Sequence, residues 1–501
     1  MRALIHGVIT LLLVSLSLPL SAQFHWGGPE PPVEPGFAAD KLYQLGNIDA
    51  VDPSSGALSL RIPIGHSYPV NGGLSYNLVL TYSSQIWEFL ERQYNTGPPY
   101  NCERYYQQAY PTLGSNAGLG WQVSLGQLYS PSNLQNPLPL GTPPGPEEEY
   151  WVYVSPDGAQ HRFWPLLHIG DQPSVSGGWD YWYTRDSSYL RMRFQPDNDT
   201  VRYIEYPDGT VYSFFKHDPA NEKWRLERIG DRFSNDILFD YDTDPVSGRT
   251  MWTISDGHRE QKVYFTTRQA EGVDVEYIDE VELSAFGAET TASYFFTYTD
   301  TEIERNGQHD DPDVGTTNPW VPLLTMLTLP DSSTYTMSYY ETCSTTPCDL
   351  EDDQPGVIKK LTLPTGGAME WTYQTYFYSS SAQEDGCVAN PCYNCKRVVQ
   401  FQSAGVKERR YLDRNDAQTA LWSYRTWEGW NQYASISEER RTVVTSPEGD
   451  DTVYYFRANP EKYGNCADFS ITVWDYGLPF TKRYDDGDGR YLSLEHFDGI
   501  R

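Results

Sequence analysis

Two pairs of carboxylates stand two positions apart in the chain, Asp240 with Asp242 and Glu280 with Glu282. On a β-strand this spacing places both side chains of a pair on one face. A glycoside hydrolase instead needs two carboxyl groups that face each other across a cleft. Because a chain with 68 acidic residues contains such pairs by chance, they are weak evidence for catalysis.

Other arrangements that could do chemistry are equally weak. The sequence has no His-Glu-x-x-His zinc motif, no Gly-x-Ser-x-Gly elbow and no phosphate-binding glycine loop. Its nine histidines are dispersed, and His161, at the exit of a predicted hairpin, is interpreted as a surface or cross-strand residue. We therefore predict that the chain is not an enzyme, and we predict no catalytic, cofactor-binding or metal-binding residue.

Two acidic loops, 310–313 and 485–489, contain carboxylates that could hold calcium. Calcium needs roughly six to eight oxygen ligands on a flexible loop. Neither loop has the full EF-hand pattern with its terminal Glu, so solvated turns are the favoured interpretation.

Seven cysteines are spread unevenly along the chain, with five of them between positions 343 and 395. Disulfides, free thiols and a zinc site are three alternatives for them, and disulfides are favoured if the chain is exported. The odd number leaves one thiol unpaired or intermolecular. The cysteines are Cys102, Cys343, Cys348, Cys387, Cys392, Cys395 and Cys466.

The first 22 residues have the pattern of a signal peptide. Arg2 supplies the positive charge, an uncharged apolar run follows from Val8 to Leu18, and cleavage is predicted after Ala22. The run is shorter than the roughly 20 residues of a membrane-spanning helix, so an uncleaved anchor is the less favoured alternative. We predict a secreted or cell-surface protein without membrane insertion after signal cleavage.

The composition favours an all-β fold. The 501 residues include 39 Tyr, 15 Trp and 19 Phe, which suit a half-buried pleated surface, and 40 Gly and 35 Pro, which supply turns. The net charge of -31 repels phosphate backbones and anionic membranes. Nucleic acid is therefore excluded as a partner.

Proline-rich stretches divide the predicted strands into two regions. After the signal peptide (1–22), residues 23–45 form a linker, 46–135 an N-terminal β region, 136–149 a second linker, and 150–501 a region of repeated hairpins with a cysteine-containing insertion near 343–395. Apolar residues alternate with polar ones at 58–64 and 74–82, which predicts two half-buried strands. Five prolines at 136–146 cannot lie in a central strand.

One hairpin design recurs after residue 150: a strand, then Pro-Asp-Gly or a close variant, then another strand. Proline fixes φ, and glycine accepts the left-handed conformation that closes a bulged hairpin. A second recurring element is a strand that ends in Asp-Tyr or Thr-Tyr, at Tyr241, Tyr298 and Tyr373. The five predicted turns lie at 156–158, 207–209, 330–333, 364–367 and 447–449.

These segments together resemble bacterial Rhs/YD-repeat proteins, in their N-terminal portion. The resemblance covers about residues 46–501, and each of its motifs consists mostly of residues that are typical of turns and strands. The segments that carry it are 46–84, the Gly-Leu-Gly-Trp at 118–121, 225–242, 356–373, 442–456 and 474–499.

The resemblance implies a long antiparallel sheet of repeated hairpins, curled or spiralling as in a YD shell. In some members of the family such a shell encloses a toxin, and in teneurin-like members it belongs to an adhesion ectodomain. The sequence departs from the family because its repeats are scattered and the Arg-Tyr-Tyr-Asp-Pro-like motif is absent. We expect a C-terminal region or a separate chain to complete the shell.

Three functional hypotheses follow. The leading one is an exported Rhs/YD-repeat structural or interaction protein that encloses or presents an effector or adhesion region and has no catalysis of its own. The second is a secreted β module that binds a cell-surface glycan or protein through exposed aromatic residues. The third and weakest is a secreted carboxylate-dependent glycoside hydrolase.

Overall fold

The computed structural model describes residues 44–45, 48–71, 73–95, 103–111, 115–131, 150–156, 158–167, 174–186, 188–218, 223–270, 273–285, 291–303, 320–340, 355–380, 400–428, 439–457, 479–485 and 491–496. Within these residues every regular element is a β-strand. No helix capable of crossing a membrane occurs in this part of the chain. The predicted signal peptide 1–22, nearly all of the linker 23–45, and the linker 136–149 lie outside the described residues.

Seven strands precede the long repeat region. Five of them form an antiparallel sheet in the order β1-β2-β3-β4-β7, here called the N-terminal sheet, and β5 pairs with β6 in a separate hairpin. The strands are β1 (Gln44–Leu45), β2 (Asp49–Val51), β3 (Leu58–Asn71), β4 (Leu74–Ser83), β5 (Trp87–Asn95), β6 (Glu103–Pro111) and β7 (Trp121–Val123).

The predicted alternation in β3 and β4 is confirmed. Leu58, Leu60, Ile62 and Ile64 are each at most 1% exposed. In β4 the apolar exception Val79 is buried as well, so that part of the strand is covered on both faces. The N-terminal sheet therefore lies within the core and does not have a solvated side along its whole length.

Nine further strands lead into a closed ring. They are β8 (Gln127–Tyr129), β9 (Trp151–Val154), β10 (Gln160–Trp164), β11 (Ser174–Ser176), β12 (Trp179–Thr184), β13 (Arg191–Phe194), β14 (Val201–Glu205), β15 (Val211–Asp218) and β16 (Lys223–Gly230).

The ring closes because β16 pairs with two strands on the same side. Residues 223–225 of β16 pair with β8, and residues 228–230 pair with the next strand of the chain. The closed path is β8-β9-β10-β12-β13-β14-β15-β16-β8, all antiparallel. A ring of this size is filled by its own side chains. Arg202 lies inside it, with its guanidinium carbon 5.1 Å from the ring centroid of Trp151, 4.4 Å from that of Phe194 and 4.7 Å from that of Trp224.

From β16 the sheet continues as an antiparallel meander, here called the wall, in which each strand pairs with the next one in sequence. Its core face is continuous with the inside of the ring and with the N-terminal sheet. The further strands are β17 (Asp236–Thr243), β18 (Thr250–Ser255), β19 (Glu260–Ala270), β20 (Val273–Ser284), β21 (Thr291–Glu302), β22 (Trp320–Thr328), β23 (Thr334–Tyr339), β24 (Ile358–Thr362), β25 (Ala368–Ser380), β26 (Gln400–Leu412), β27 (Gln418–Glu428), β28 (Glu439–Thr445), β29 (Asp451–Arg457), β30 (Pro479–Asp485) and β31 (Tyr491–His496).

The all-β fold, with a large antiparallel sheet of repeated hairpins that curls on itself, is thus confirmed. All five predicted hairpin turns are present and share one pair of hydrogen bonds. In the turn at 364–367, Leu363 N–H donates to Gly367 O and Gly366 N–H donates to Leu363 O, both at 2.8 Å, with Gly366 at φ 87°. The other four turns repeat these bonds around Ser155, Tyr206, Leu329 and Ser446.

Two turns of the same design have no proline and were not predicted. They begin at Asp231 and Asp413 and place Ser234 and Asp416 at the left-handed position, with φ 66° and 59°. In the second turn, Asp413 Oδ1 accepts hydrogen bonds from the backbone N–H groups of Asn415 (2.7 Å) and Ala417 (2.9 Å). The leading carboxylate thus fixes the turn that proline fixes elsewhere.

Candidate functional site: the junction between the N-terminal sheet and the wall

Between β19 and β26 the pairing register of the wall shifts at alternate strand pairs. Shifts occur between β19 and β20, β21 and β22, β23 and β24, and β25 and β26. Such β-bulges bend a strand and increase its local twist. The residue that follows the first shift in each of these four strand pairs is aromatic and buried: Phe265, Tyr298, Tyr339 and Tyr373.

The tyrosines at these bulges are linked through the backbone. Tyr339 donates from its hydroxyl to Leu324 O at 2.6 Å, and Leu324 is the residue paired with Tyr298. Tyr373 donates to Ile358 O at 2.8 Å, and Ile358 is paired with Tyr339. Each tyrosine therefore bonds the residue opposite the preceding one.

The same pattern extends towards the ring. Tyr298 donates to Ile278 O at 2.5 Å, and Tyr241 donates to Leu226 O at 2.7 Å. We call Tyr241, Tyr298, Tyr339 and Tyr373 the tyrosine ladder. Burial raises the pKa of each of these phenols above the ordinary value of 10.0, so the hydroxyls remain neutral donors.

The predicted Asp-Tyr and Thr-Tyr motifs fall on three members of this ladder, Tyr241, Tyr298 and Tyr373. The prediction that the motif ends a strand is wrong for Tyr298 and Tyr373, because β21 and β25 continue beyond them through a bulge. Tyr339 follows a serine, so the sequence pattern did not single it out.

At the bulges, residues of the wall contact the N-terminal sheet and the loops that connect its strands. The N–H of Ile278, opposite Phe265, donates to Asn116 O at 2.7 Å. That of Ile358 donates to the Tyr82 hydroxyl at 2.9 Å, and that of Val406 to Gly56 O at 2.8 Å. Because a buried N–H needs an acceptor, the bulges at β19–β20, β23–β24 and β25–β26 are each satisfied by a group of the N-terminal sheet or of a loop that connects its strands.

The Gly-Leu-Gly-Trp segment at 118–121 lies at this junction. Gly118 and Gly120 have φ of 95° and 77°. A Cβ on Gly118 would lie 2.8 Å from Leu324 N, and one on Gly120 would lie 2.7 Å from Ser83 O. The two glycines therefore allow a close approach to the wall and to β4 that brings the indole of Trp121 to the tyrosine ladder.

A buried ion pair joins β2 to β26 further along the junction. Arg409 Nη1 lies 3.6 Å from Asp49 Oδ2, and both side chains are at most 2% exposed. Trp371 Nε1 donates to Asp49 Oδ2 at 3.4 Å, and the Tyr411 hydroxyl donates to Oδ1 at 3.3 Å. The Arg409 guanidinium carbon lies 3.9 Å from the ring centroid of Trp422, so the pair is enclosed by aromatic rings.

Desolvation by burial raises the pKa of the Asp49 carboxyl, and the nearby Arg409 and the hydrogen bonds only partly oppose it. Removing two charges from water costs free energy that their attraction repays only in part. This pair therefore contributes chiefly to placing β2 against β26, and less to net stability.

The structure places His161 inside the ring. It is 8% exposed and lies directly opposite Tyr153, with 5.9 Å between the ring centroids. Its Nδ1 is 2.7 Å from Asp186 Oδ2. The cross-strand interpretation is therefore confirmed and the surface interpretation is wrong. Asp186, which sequence reasoning missed, lies far from any motif and is brought to His161 only by the pairing of β10 with β12.

The two carboxylate pairs lie on the same side of the wall. Register connects Asp242 through Met251 and Tyr264 to Glu280, so three strand spacings, about 14 Å, separate these carboxylates. Glu280 Oε2 lies 3.4 Å from Arg249 Nη2. The pairs thus lie along an open sheet face, and the structure does not bring them across a cleft.

Several predicted features lie outside the described residues. These are all seven cysteines, the acidic loop 310–313, and residues 486–489 of the second acidic loop. Asp485 is the last residue of β30. Among the residues that the structure describes, no group of three or more His, Cys, Asp or Glu side chains is arranged to hold a metal ion.

No protein-family model and no curated protein matches this chain. Similar solved structures include a mutant Tc holotoxin pore of Photorhabdus luminescens, with 11% identity and a TM-score of 0.32 over 93% of this chain and 24% of that chain. Two crystal structures of TcdB2–TccC3, one of them a TEV form, have 12% and 11% identity and TM-scores of 0.26. They cover 95% and 92% of this chain, and 21% and 20% of those chains. The chain thus spans less than a quarter of the length of these structures.

Proposed function

We propose that the chain is an exported structural and interaction protein of the Rhs/YD-repeat type. In this proposal the wall encloses or presents an effector or adhesion region, supplied by a C-terminal region or by a separate chain, and the protein has no catalysis of its own. A cell-surface protein or glycan is the expected external partner.

The tyrosine ladder is the observation that carries this proposal. Tyrosines on β17, β21, β23 and β25 each tie their strand of the wall to the strand before it. Such a link between neighbouring units supports a continuous curved sheet, because each added hairpin buries its aromatic residue against the previous one.

The N-terminal sheet supports the same role. Together with the loops that connect its strands, it satisfies the backbone N–H groups that the bulges of the wall release, at Ile278, Ile358 and Val406. We infer that this sheet sets the curvature of the wall by fixing the positions of the bulges.

Native mass spectrometry of the protein isolated from its producing cells tests the proposal. Denaturing spectra, with and without reduction, are expected to give a chain that begins at Gln23, after the predicted cleavage. Native spectra are expected to show an additional polypeptide or a continuation of the chain. The same mass is expected to remain in spectra recorded after treatment with protease. A native mass equal to that of residues 23–501 alone would contradict enclosure.

Two variants make the test specific to the junction between the N-terminal sheet and the wall. Gly120→Val places a side chain against Ser83 O and is expected to make the protected polypeptide sensitive to protease. Val246→Ser changes a residue that is 93% exposed and serves as the control. Equal protection in both variants would argue against a role of the junction in enclosure.

A further inference from the structure

One outer face of the ring combines arginines with aromatic residues. Trp164 is paired with Tyr183 across β10 and β12, and Tyr183 is paired with Arg191 of β13. In the adjacent row, Tyr181 is paired with Arg193, and Arg193 with Tyr203 of β14. These six residues, here called the arginine–aromatic face, lie on the side of the strands opposite the buried Met192 and Ile204.

The arginines of this face are stacked against its aromatic rings and against the neighbouring Trp179. The guanidinium carbon of Arg193 lies 4.5 Å from the ring centroid of Trp179 and 5.0 Å from that of Tyr203. That of Arg191 lies 4.8 Å from the Tyr181 ring. Stacking holds the guanidinium groups in place, so less entropy is lost when they bind a carboxylate.

The face has an excess of positive charge in a strongly acidic chain. Glu205 pairs with both Arg191 (2.5 Å) and Arg193 (2.6 Å). A third arginine, Arg185, lies 5.0 Å from the Trp164 ring centroid. Three arginines therefore stand against one glutamate, whereas the chain as a whole has a net charge of -31.

Exposed apolar groups also lie beside this face. Leu167 follows β10 and Tyr189 precedes β13, and these two side chains are 42% and 80% exposed. Tyr189 also has φ of 56°, a conformation that is costly for a bulky residue. The loop that carries it is fixed by Ser188, whose N–H donates to Asp186 Oδ1 at 3.0 Å.

We propose that the arginine–aromatic face, with Tyr189 at its border, binds an acidic segment of a partner protein. Tyr, Trp and Arg are the residues enriched at the centres of protein interfaces. The planar guanidinium groups bind carboxylates through paired hydrogen bonds. The exposed apolar residues would pack against apolar side chains that lie between the carboxylates of the partner segment. A glycan is disfavoured as the partner, because the guanidinium groups cover the ring faces on which a sugar would stack. Nucleic acid is disfavoured by the net charge of the chain.

Binding of a fluorescent copolymer of L-glutamate and L-tyrosine to the full chain tests this inference. Arg191→Ala/Arg193→Ala is expected to weaken binding at least about tenfold, which corresponds to about 1.4 kcal/mol. Arg249→Ala is the matched control, since Arg249 also stacks on an aromatic ring, that of Tyr264, and pairs with acidic side chains, but lies between β17 and β18 of the wall. Its affinity should equal that of the wild type.

Two further measurements keep the result interpretable if the double variant folds poorly. Tyr189→Gly removes the exposed aromatic side chain and relieves the backbone strain at this position. It should therefore weaken binding several-fold without lowering the unfolding temperature. Polygalacturonate, an anionic polysaccharide, should bind more weakly than the copolymer. Unchanged copolymer affinity in both variants, or preferential binding of polygalacturonate, would overturn the proposal. This inference does not depend on the proposed enclosing role.

Discussion

The Tyr339 hydroxyl accepts a hydrogen bond from Trp121 Nε1 at 2.8 Å, although 218 positions separate the two residues in the chain. The same hydroxyl donates to Leu324 O. One phenol oxygen thus joins β7 of the N-terminal sheet to two strands of the wall, which makes it a direct test of the junction.

Replacing Tyr339 by Phe is expected to destabilise the protein. The change leaves a buried indole N–H and a buried carbonyl without their partner, which costs about 1–3 kcal/mol. Urea unfolding followed by tryptophan fluorescence measures the loss. Tyr424→Phe is the matched control, because the Tyr424 hydroxyl is buried and has no hydrogen-bond partner among the described residues. Equal losses in both variants would show that the ladder bond contributes nothing specific.

Replacing Gly405 by Ala is expected to loosen the junction. A Cβ at this position would overlap the Tyr376 ring and lie 2.8 Å from Ser55 O. The Tyr376 hydroxyl donates to Val406 O at 2.8 Å, so displacement of the ring breaks a contact beside the Val406–Gly56 bond. Overpacking of this kind costs about 1–3 kcal/mol. Gly367→Ala, whose Cβ would lie 3.3 Å from Leu412 O as its nearest contact, should have a smaller effect in urea unfolding.

Replacing Asp49 by Asn is expected to change how stability depends on pH. Burial raises the pKa of Asp49 above its usual 3.8, so the folded state binds this proton more tightly than the unfolded state. The stability linked to Asp49 is therefore present below pH 3.8 and is lost as the pH rises through the folded-state pKa. The free energy of unfolding of Asp49→Asn, relative to wild type, should increase between about pH 4 and pH 7. A decrease over that range would mean that Arg409 controls the ionisation of Asp49.

Replacing Asp413 by Ala is expected to open the turn between β26 and β27. The backbone N–H groups of Ala417 and Asn415 donate to this carboxylate and lower its pKa. Its contribution is therefore present above pH 3.8 and is lost as the pH falls through the lowered value. Amide hydrogen exchange at Asn415 and Ala417 should be faster in Asp413→Ala and close to wild type in Asp413→Asn, which keeps an acceptor. Identical exchange in all three proteins would argue against the carboxylate as the fixing group.

The hairpins could be predicted because their causes are local. Proline and glycine act on their own φ angles, and period-two alternation acts along a single strand, so Leu363 to Gly367 and Leu58 to Ile64 were predicted correctly. The turn at Asp413 was missed because the motif was defined by proline, whereas here a leading carboxylate holds the turn by accepting hydrogen bonds from two backbone N–H groups.

The sequence by itself determined the all-β class, the repeated turns and the recurrence of Tyr241, Tyr298 and Tyr373. Only the tertiary structure decided that these tyrosines lie at bulges or bond the preceding strand, that Tyr339 belongs with them, and that Asp49 meets Arg409 across 360 positions of the chain. Backbone conformation in turns and the alternation of apolar and polar residues depend on neighbouring residues, so both can be predicted directly from the sequence. Ion pairs and hydrogen bonds between distant strands depend on the pairing register. A shift of that register by one residue moves every side chain of the strand to the other face of the sheet.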